Sequence, residues 1–297
     1  MIGVLPMFLL FTHASVASVS AQGVTPRWTA VDSTFGRRGS PQPGGVMKWS
    51  FPRSDLSIVM EGVTVRPALA LGGWVALKDA GHGQSMAMGD LVLTPDEVND
   101  VIRALQEGGV EQTALHNHLL APVMYMHIAA HGDPAKIAAA IRRALATTKT
   151  PLGPPGAPAP ASAADLDTAG IARALGHAGK LNGVVYQVSV PRRERVMDGG
   201  HKVPPSMGVA TAINFQPTGG GKAAITGDFV LLASEVNPVI RSLEAHGIKV
   251  EAVHSHMLFE SPRLFFLHYW ANDDAVTLAT GLRAALDLTA SAKASAR

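Results

Sequence analysis

The chain has 297 residues, of which 47% are hydrophobic and 16% are charged, a composition typical of a globular protein. The formal net charge is only +2, and the 25 lysines and arginines are scattered, so the sequence does not predict a nucleic-acid-binding surface. The chain contains no cysteine, which excludes disulfides, thiolate chemistry and a lipid attached to cysteine. It also lacks the glycine motifs of Walker and dinucleotide-binding loops.

The first 21 residues contain no Asp, Glu, Lys or Arg, and residues 1–11 are almost wholly apolar. This pattern is typical of a secretory signal peptide, and the small residues of the segment 19–21 predict cleavage before Gln22. A membrane-anchoring helix is the alternative, but the apolar run is too short to span a bilayer comfortably. We therefore expect a periplasmic or secreted protein with residues 1–21 as its signal peptide and no stable membrane span in the mature form.

The remainder of the chain contains one sequence pattern twice. Residues 149–164 are rich in proline, alanine and glycine, which predicts a semi-rigid linker. On either side of it the same residues recur at an offset of 138, as in MGDLVL at 88–93 and TGDFVL at 226–231. Such register over about 100 residues indicates duplication. The predicted repeats are residues 24–148 and 165–297.

Apolar periodicity and turn residues predict the elements of the first repeat in chain order. Strands are expected at 46–51, 56–65, 69–77 and 86–93, a helix at 95–107, strands at 112–120 and 123–130, and a helix at 133–146. The second repeat follows the same order. The sequence therefore predicts an α+β fold of two tandem repeats, each a mainly antiparallel sheet covered on one face by two helices.

A His-x-His pair is the most prominent chemical feature of the first repeat. Alternate residues of a strand share a face, so His116 and His118 are expected to point together, about 7 Å apart at the backbone, while Asn117 points away. His127 lies on the next predicted strand and would fold back beside the pair. Three neutral imidazoles with an open fourth position predict a divalent metal site of the catalytic type, with zinc as first candidate and copper or iron as alternatives.

The second repeat carries the matching triplet His254, His256 and His268, with a connecting loop three residues longer. His131 could add a fourth nitrogen in the first repeat, but Asn272 stands at its place in the second, so the two sites need not be equivalent. In the alternative interpretation the histidines are core residues with satisfied hydrogen bonds, since both third histidines lie among aromatic and methionine residues.

Two glutamates are candidate proton carriers. Glu97 follows Thr94 in a capping box, which would explain it structurally. Leu232 replaces that threonine in the second repeat, so capping is not expected there although Glu235 is retained. This favours Glu97 and Glu235 as catalytic acids or bases near the metal. No Gly-x-Ser-x-Gly motif supports serine hydrolase chemistry instead.

The histidine segments also carry a resemblance to a known family. ALHNHLL at 114–120 with MYMHI at 124–128, and VHSHMLF at 253–259 with PRLFF at 262–266, resemble the LppY/LpqO family of uncharacterised bacterial exported proteins. Many members are lipoproteins, but this chain lacks the cysteine that would carry the lipid. The spacing of the histidines is also similar to that of the zinc ligands in acetolactate decarboxylase, which is an analogy of spacing alone.

Together these patterns predict an exported metal-binding protein, with hydrolase or lyase chemistry on an unidentified small molecule. The alternative function is a non-enzymatic ligand-binding or structural module of the cell envelope, with the histidines in its core.

Overall fold

The computed structural model describes residues 26–119, 122–154 and 165–292. The predicted signal peptide, residues 1–21, lies outside the described residues, and so does the part of the predicted linker from 155 to 164. In the described part of the chain, no helix has both the length and the apolar character needed to cross a membrane.

The first repeat contains helices on one side and an antiparallel sheet on the other. Its elements in chain order are α1 (Pro26–Phe35), β1 (Ser40–Gln42), β2 (Val46–Pro52), β3 (Val59–Met60), β4 (Val63–Thr64), α2 (Pro67–Ala70), β5 (Gly72–Gly81), β6 (Gln84–Leu93), α3 (Val98–Glu107), β7 (Glu111–His116), β8 (Met124–Gly132) and α4 (Pro134–Leu145).

The second repeat follows the same plan, with a short 3-10 turn (Pro205–Met207) in the place of α2. Its elements are α5 (Thr168–Leu175), β9 (Lys180–Asn182), β10 (Val185–Pro191), β11 (Met197–Asp198), β12 (His201–Lys202), β13 (Ala210–Gly219), β14 (Lys222–Leu231), α6 (Ala233–Ala245), β15 (Lys249–His254), β16 (Phe265–Asp274) and α7 (Ala275–Leu286). The predicted α+β fold of two similar halves is confirmed.

Each repeat forms a six-stranded sheet in which neighbouring strands are antiparallel. The strand order is β1-β2-β5-β6-β8-β7 in the first repeat and β9-β10-β13-β14-β16-β15 in the second. Strand β6 lies inside its sheet, and all its residues after the first are buried, because both of its faces are covered. Strands β7 and β15, which carry the first histidine of each pair, form the matching sheet edges.

One face of each sheet packs against the helices of its own repeat. In the first repeat, Val31 of α1, Val101 of α3 and Ile141 of α4 share a core with Trp49 and Leu91 of the sheet. The apolar residues of each helix recur with helical spacing, so a single buried stripe faces the sheet. Asp133 caps α4 as expected, accepting a hydrogen bond from the backbone N–H of Lys136 at 2.9 Å.

The opposite faces of the two sheets pack against each other. Met88 of β6 shares a core with Val230 of β14 and Phe266 of β16, and Tyr125 of β8 shares another with Trp270 of β16. The inward residues of both sheets therefore form a common interior, as in other stacked sheets. The molecule has four layers in the order helices, sheet, sheet, helices.

Several predicted element bounds differ from the structure. The predicted strand 56–65 is only the two short strands β3 and β4, and the predicted strand 69–77 divides into α2 and the start of β5. The helix predicted from residue 95 begins at Val98, and the strand predicted for 112–120 ends at His116. Each repeat also has an additional helix at its start, α1 or α5, packed against α4 or α7. Tertiary packing selects these elements where local propensity is weak.

Gly89 and Gly227, which precede Asp90 and Asp228, let neighbouring strands approach closely. A Cβ on Gly227 would overlap the Ala212 carbonyl oxygen of β13 and lie 2.8 Å from the Tyr269 hydroxyl. The backbone carbonyl cannot give way unless β13 moves, so we expect Gly227→Ala to lower the free energy of unfolding by about 1–3 kcal/mol. Gly153→Ala is the matched control, because nothing lies within 4 Å of its added methyl group. Equal unfolding midpoints in urea for the two variants would contradict this prediction.

Candidate metal centre

The histidines of the first repeat come from neighbouring strands. His116 is the last residue of β7, and His127 lies on β8, directly opposite Asp90 of β6 in the antiparallel register. His118 lies two residues beyond the end of β7, yet its ring centroid is 5.0 Å from that of His116. The predicted grouping of the three histidines therefore holds, although His118 reaches it from a loop.

The second repeat places its triplet in the same way. His254 is the last residue of β15, His256 follows it in the loop, and His268 of β16 lies opposite Asp228 of β14. The Nε2 atom of His254 lies 2.9 Å from Nε2 of His256 and 3.2 Å from Nε2 of His268. The longer loop of this repeat does not displace the histidines from one another.

The two triplets meet between the sheets and form one cluster, although the sequence predicts a separate triplet in each repeat. Among the six histidines, the shortest ring contacts all join the two repeats. Ring centroids lie 3.6 Å apart for His116 and His254, 3.7 Å for His118 and His268, and 3.5 Å for His127 and His256. We call this set of six residues the histidine centre. It forms only where both repeats pack together.

The contacts in the histidine centre follow an approximate two-fold relation between the repeats. Exchanging the repeats converts the pair His118–His268 into the pair His256–His127, and these ring distances are 3.7 and 3.5 Å. The same exchange maps the pair of His116 and His254 onto itself. The duplicated sequence therefore gives a centre with two nearly equivalent halves, as at the interface of a symmetric dimer.

The histidine centre could hold a metal ion. Three sets of residues each offer one ligand atom, with all the atoms of a set within 4.8 Å of one another. The sets are His116, His118, His127 and His256; His116, His254, His256 and His268; and His118, Asp228, His256 and His268. Each set combines residues of both repeats, and His256 belongs to all three.

Burial keeps most of these imidazoles neutral. Desolvation lowers the pKa of His127 to about 3 and that of His254 to about 4, and neighbouring histidines contribute to both shifts. The pKa values of His118 and His256 are lowered well below the usual range, again mainly by burial. Neutral imidazole is the form that ligates metals, so the centre is ready to bind a cation at neutral pH.

An aspartate lies against the third histidine of each repeat, buried Asp90 in the first and half-buried Asp228 in the second. The Oδ1 atom of Asp228 is 2.7 Å from Nδ1 of His268, and Oδ1 of Asp90 is 3.7 Å from Nε2 of His127. Burial lowers the pKa of His268, but Asp228 outweighs it and the net pKa is raised. Desolvation, assisted by the charge of Asp228, raises the pKa of Asp90 to about 7. Asp228 and the Gly227 carbonyl oxygen, which lies 3.0 Å from Nδ1, fix the orientation of the His268 ring and direct its Nε2 to the centre.

One side of the centre has a neighbouring cavity with a lysine close by. The cavity touches His127 and His256 and is also lined by Trp74, Met207 and Met257. Nearby, Nζ of Lys48 lies 3.9 Å from the centroid of the Trp74 ring. Burial lowers the pKa of Lys48 to about 8, although Asp90 acts in the opposite direction.

The second repeat has Gln187 at the position of Lys48. Its amide nitrogen donates hydrogen bonds to the Ala68 carbonyl at 2.8 Å and to Oδ1 of Asn214 at 3.1 Å. The Lys48 contact is therefore confined to one half of the centre.

Glu97 forms an ion pair with a buried arginine, Arg53. Arg53 Nη1 donates to Glu97 Oε2 at 2.6 Å and to the Val92 carbonyl at 2.8 Å, and its side chain is only 1% exposed. The glutamate also accepts from the backbone N–H groups of Thr94 and Lys149. Desolvation raises its pKa, but these hydrogen bonds outweigh it and the net pKa is lowered. These contacts hold α3 and the end of the repeat against the sheet.

Glu235 has the same environment in the second repeat. Arg192 Nη1 donates to its Oε2 at 2.7 Å, and the backbone N–H groups of Leu232 and Ala290 donate to it at 2.7 and 2.8 Å. The expectation that capping does not apply in this repeat is wrong, because Glu235 itself caps the start of α6. None of the hydrogen bonds of either glutamate joins it to the histidine centre, and their catalytic role stays a prediction.

His131 lies apart from the metal-ligand sets. Its ring centroid is 5.0 Å from that of His201, and Asp198 and Glu111 contribute charge nearby. The suggestion that His131 supplies a fourth nitrogen to the first triplet is not supported, because His256 of the other repeat takes that place.

Sequence reasoning missed the aspartate pair Asp90 and Asp228 and the lysine Lys48 beside the centre. Asp90 and Asp228 follow a repeated glycine, but only the antiparallel pairing of β6 with β8 and of β14 with β16 places them opposite histidines. Comparison of the two repeats does not identify Lys48, because its counterpart in the second repeat is Gln187. A charged side chain within an otherwise apolar strand was the available clue.

Comparison with known proteins bears on the family. A family model described as a Domain of Unknown Function (DUF1259) matches residues 29–147 and again 169–288. The chain belongs to this family. The two matches coincide with the two halves of the structure, so the internal repeat of this DUF1259 protein is shown by family membership and by fold.

Curated proteins and solved structures were also compared with this DUF1259 chain. No curated protein matches it. Two solved structures are similar at low level, a trimeric bacterial microcompartment shell protein, PduB, and EtuB from Clostridium kluyveri. They have 12% and 11% sequence identity and TM-scores of 0.22 and 0.20, and each match covers 84% of this chain and 91% of the other.

Proposed function

We propose that this protein binds a transition metal in the histidine centre and uses it in hydrolase or lyase chemistry on a small molecule. The observation that carries the proposal is the convergence of six imidazoles from two repeats, with ligand sets whose atoms lie within 4.8 Å. Zinc suits an all-imidazole site best, and copper or iron are the alternatives.

A metal in this position would act as a Lewis acid on an oxygen of the substrate or lower the pKa of a water molecule. The chain's own groups would orient the ligands and move protons. Asp228 holds the His268 ring through Nδ1. Asp90 lies 3.7 Å from Nε2 of His127, whereas Glu97 and Glu235 are bound by arginines and make no hydrogen bond to the centre. We therefore favour Asp90 as the proton carrier.

The partly exposed histidines define the side from which a small molecule would enter. His116, His118 and His254 are half-buried, whereas His127 and His256 are only 7% and 5% exposed. A substrate would therefore approach past the rings of His116 and His254, the pair that lies where the two repeats meet. Export and membership of the LppY/LpqO group also remain part of this proposal, supported by the apolar N-terminal segment and the histidine motifs.

Metal analysis of the untagged chain tests the proposal. We expect at least one equivalent of transition metal per chain, either as purified or after removal of metal by a chelator and reloading with zinc. His256→Ala should lose at least half of this metal, because His256 belongs to every ligand set. His82→Asn is the control, since His82 is exposed on the turn between β5 and β6 and belongs to none of them.

The alternative is a non-enzymatic ligand-binding or structural module in which the histidines only pack in the interior. In that case the chain would bind no stoichiometric metal after loading, and a chelator would not change its melting temperature. His256→Ala would then unfold the protein instead of giving a folded apo form. Either the absence of metal or an unchanged melting curve in chelator would contradict the proposed function.

A further inference from the structure

We propose that the histidine centre holds two metal ions, one against the histidine triplet of each repeat. This inference rests on the proposed function and extends it from a single ion to a pair. Two ligand sets carry it. The first contains the complete triplet of the first repeat with His256, and the second contains the complete triplet of the second repeat with His116.

The number of imidazoles exceeds the need of one ion. Zinc sites in proteins are almost always four-coordinate, and catalytic sites use three protein ligands with one open position. Six imidazoles match two such three-ligand sites. A single ion would leave two or three imidazoles in the interior of the centre without a metal.

Unpartnered nitrogen atoms support the second ion. Both ring nitrogens of His116 are buried without a hydrogen-bond partner, and so are Nε2 of His118 and Nε2 of His127. The Nδ1 atom of His254 in the second triplet is in the same condition. Buried polar atoms normally have partners, because an unsatisfied one is unfavourable. An ion at the first triplet would partner its free nitrogens. In the second triplet Nε2 of His254 lies 2.9 Å from Nε2 of His256 and 3.2 Å from Nε2 of His268, and a second ion would replace these contacts between ring nitrogens.

The approximate two-fold relation of the centre makes the two positions similar. The ring pairs His118–His268 and His127–His256 exchange when the repeats are exchanged. Any position bounded by the first triplet therefore has a counterpart bounded by the second. The pair His116 and His254, with ring centroids 3.6 Å apart, lies between the two positions. An ion in one position alone would make the two halves of the centre unlike, although both repeats retain the three histidines.

Two carboxylates supply the charge that a pair of cations requires. Asp90 is 7% exposed and lies beside His127 of the first triplet, and Asp228 lies beside His268 of the second. Each triplet would thus have one acidic group close to one of its histidines. Burying two divalent ions without nearby negative charge would be strongly unfavourable. The duplicated Gly-Asp sequence provides one such charge per repeat.

The test is metal stoichiometry of the untagged chain, measured by elemental analysis after chelation, reloading with excess Zn²⁺ and desalting. We expect two zinc ions per chain. His127→Ala removes a ligand that belongs only to the first of these sets, and His254→Ala one that belongs only to the second, so each variant should retain about half of the zinc. His82→Asn should retain two ions. Circular dichroism of each variant establishes that it is folded, and a folded double variant should retain neither ion.

Copper provides a second measurement that does not depend on the variants. Two Cu²⁺ ions in adjacent sites should couple magnetically and give a half-field electron paramagnetic resonance signal, whereas one ion gives none. One metal per chain without a half-field signal would overturn the pair of ions but leave the proposed function intact. No bound metal at all would overturn both.

Discussion

Replacing Arg53 with methionine is expected to lower the free energy of unfolding by about 3–5 kcal/mol. The Arg53 side chain is 1% exposed and donates to Glu97, Asp55 and the Val92 carbonyl. Without it, Glu97 would remain buried as an uncompensated charge at the start of α3. Urea denaturation followed by circular dichroism measures the loss.

Arg103→Met is the matched control for this prediction. Arg103 pairs with Asp100 on the surface, where both side chains are at least 60% exposed. Exposed pairs contribute about 0–1 kcal/mol, so this variant should differ little from the wild type. Replacing Arg53 and Glu97 together by methionine should recover much of the stability, because only the exposed Asp55 then loses its ionic partner. If Arg53→Met were as stable as Arg103→Met, the buried ion pair would not support the fold.

The same variants separate a structural role of Glu97 from a catalytic one. A stabilising ion pair predicts that the folded fraction of the double methionine variant keeps its metal content and any activity. Loss of activity in a stable, metal-loaded double variant would instead support Glu97 as a catalytic acid or base.

The metal-free protein is expected to lose stability as the pH falls from 7 to 5. Burial lowers the pKa of His127 to about 3, so this ring stays neutral in the folded state while it is protonated below about 6.5 in the unfolded chain. The stability contributed by this difference is present above pH 6.5 and is lost as the pH falls toward 3. Between pH 6.5 and 5, His127 alone accounts for about 2 kcal/mol, at about 1.4 kcal/mol per pH unit.

Other buried groups modify this dependence without reversing it. The pKa values of His116, His118, His254 and His256 are also lowered, so these residues act in the same direction as His127. Asp90 acts in the opposite direction, because desolvation raises its pKa and its stabilising contribution is lost as the pH rises toward 7. The raised pKa of His268 favours the folded state below pH 6.5. The histidines with lowered pKa values outnumber these two groups.

Urea denaturation of the chelated protein at pH 7, 6 and 5 measures the effect. The variant His82→Asn should show the same dependence as the wild type, because this exposed residue lies outside the centre. A free energy of unfolding that stays constant or rises between pH 7 and 5 would contradict the neutral, buried state of the imidazoles.

The sequence could predict the duplication, the fold class and the three histidines of each repeat, because these depend on local periodicity and on comparison of one half with the other. Helix α4 is an example, since Asp133 and Pro134 mark its start in the sequence. Helix α1 was not predicted, and the segment 56–65 was assigned as one strand. Their conformations depend on packing against the sheet and the other repeat.

The joint nature of the centre could not be predicted from either repeat. His256 comes to face His127 only because the inner faces of both sheets pack together. Retention of Glu97 and Glu235 in both repeats favours a catalytic role, but it also follows from the buried arginine with which each glutamate pairs. Internal repetition identifies constrained positions without distinguishing a ligand from a residue that supports the fold.

Lys48 and Gln187 occupy matching positions in the two repeats but differ in chemistry. This difference gives the tandem arrangement a capability that two identical subunits lack. In a homodimer, any residue placed on one side of a symmetric centre is obligatorily present on the other. Here the lysine beside Trp74 stands on one side only, while the glutamine opposite it is committed to backbone and side-chain amides. Gene fusion of two like halves thus permits a polar axis through the centre, along which an asymmetric molecule has one preferred orientation.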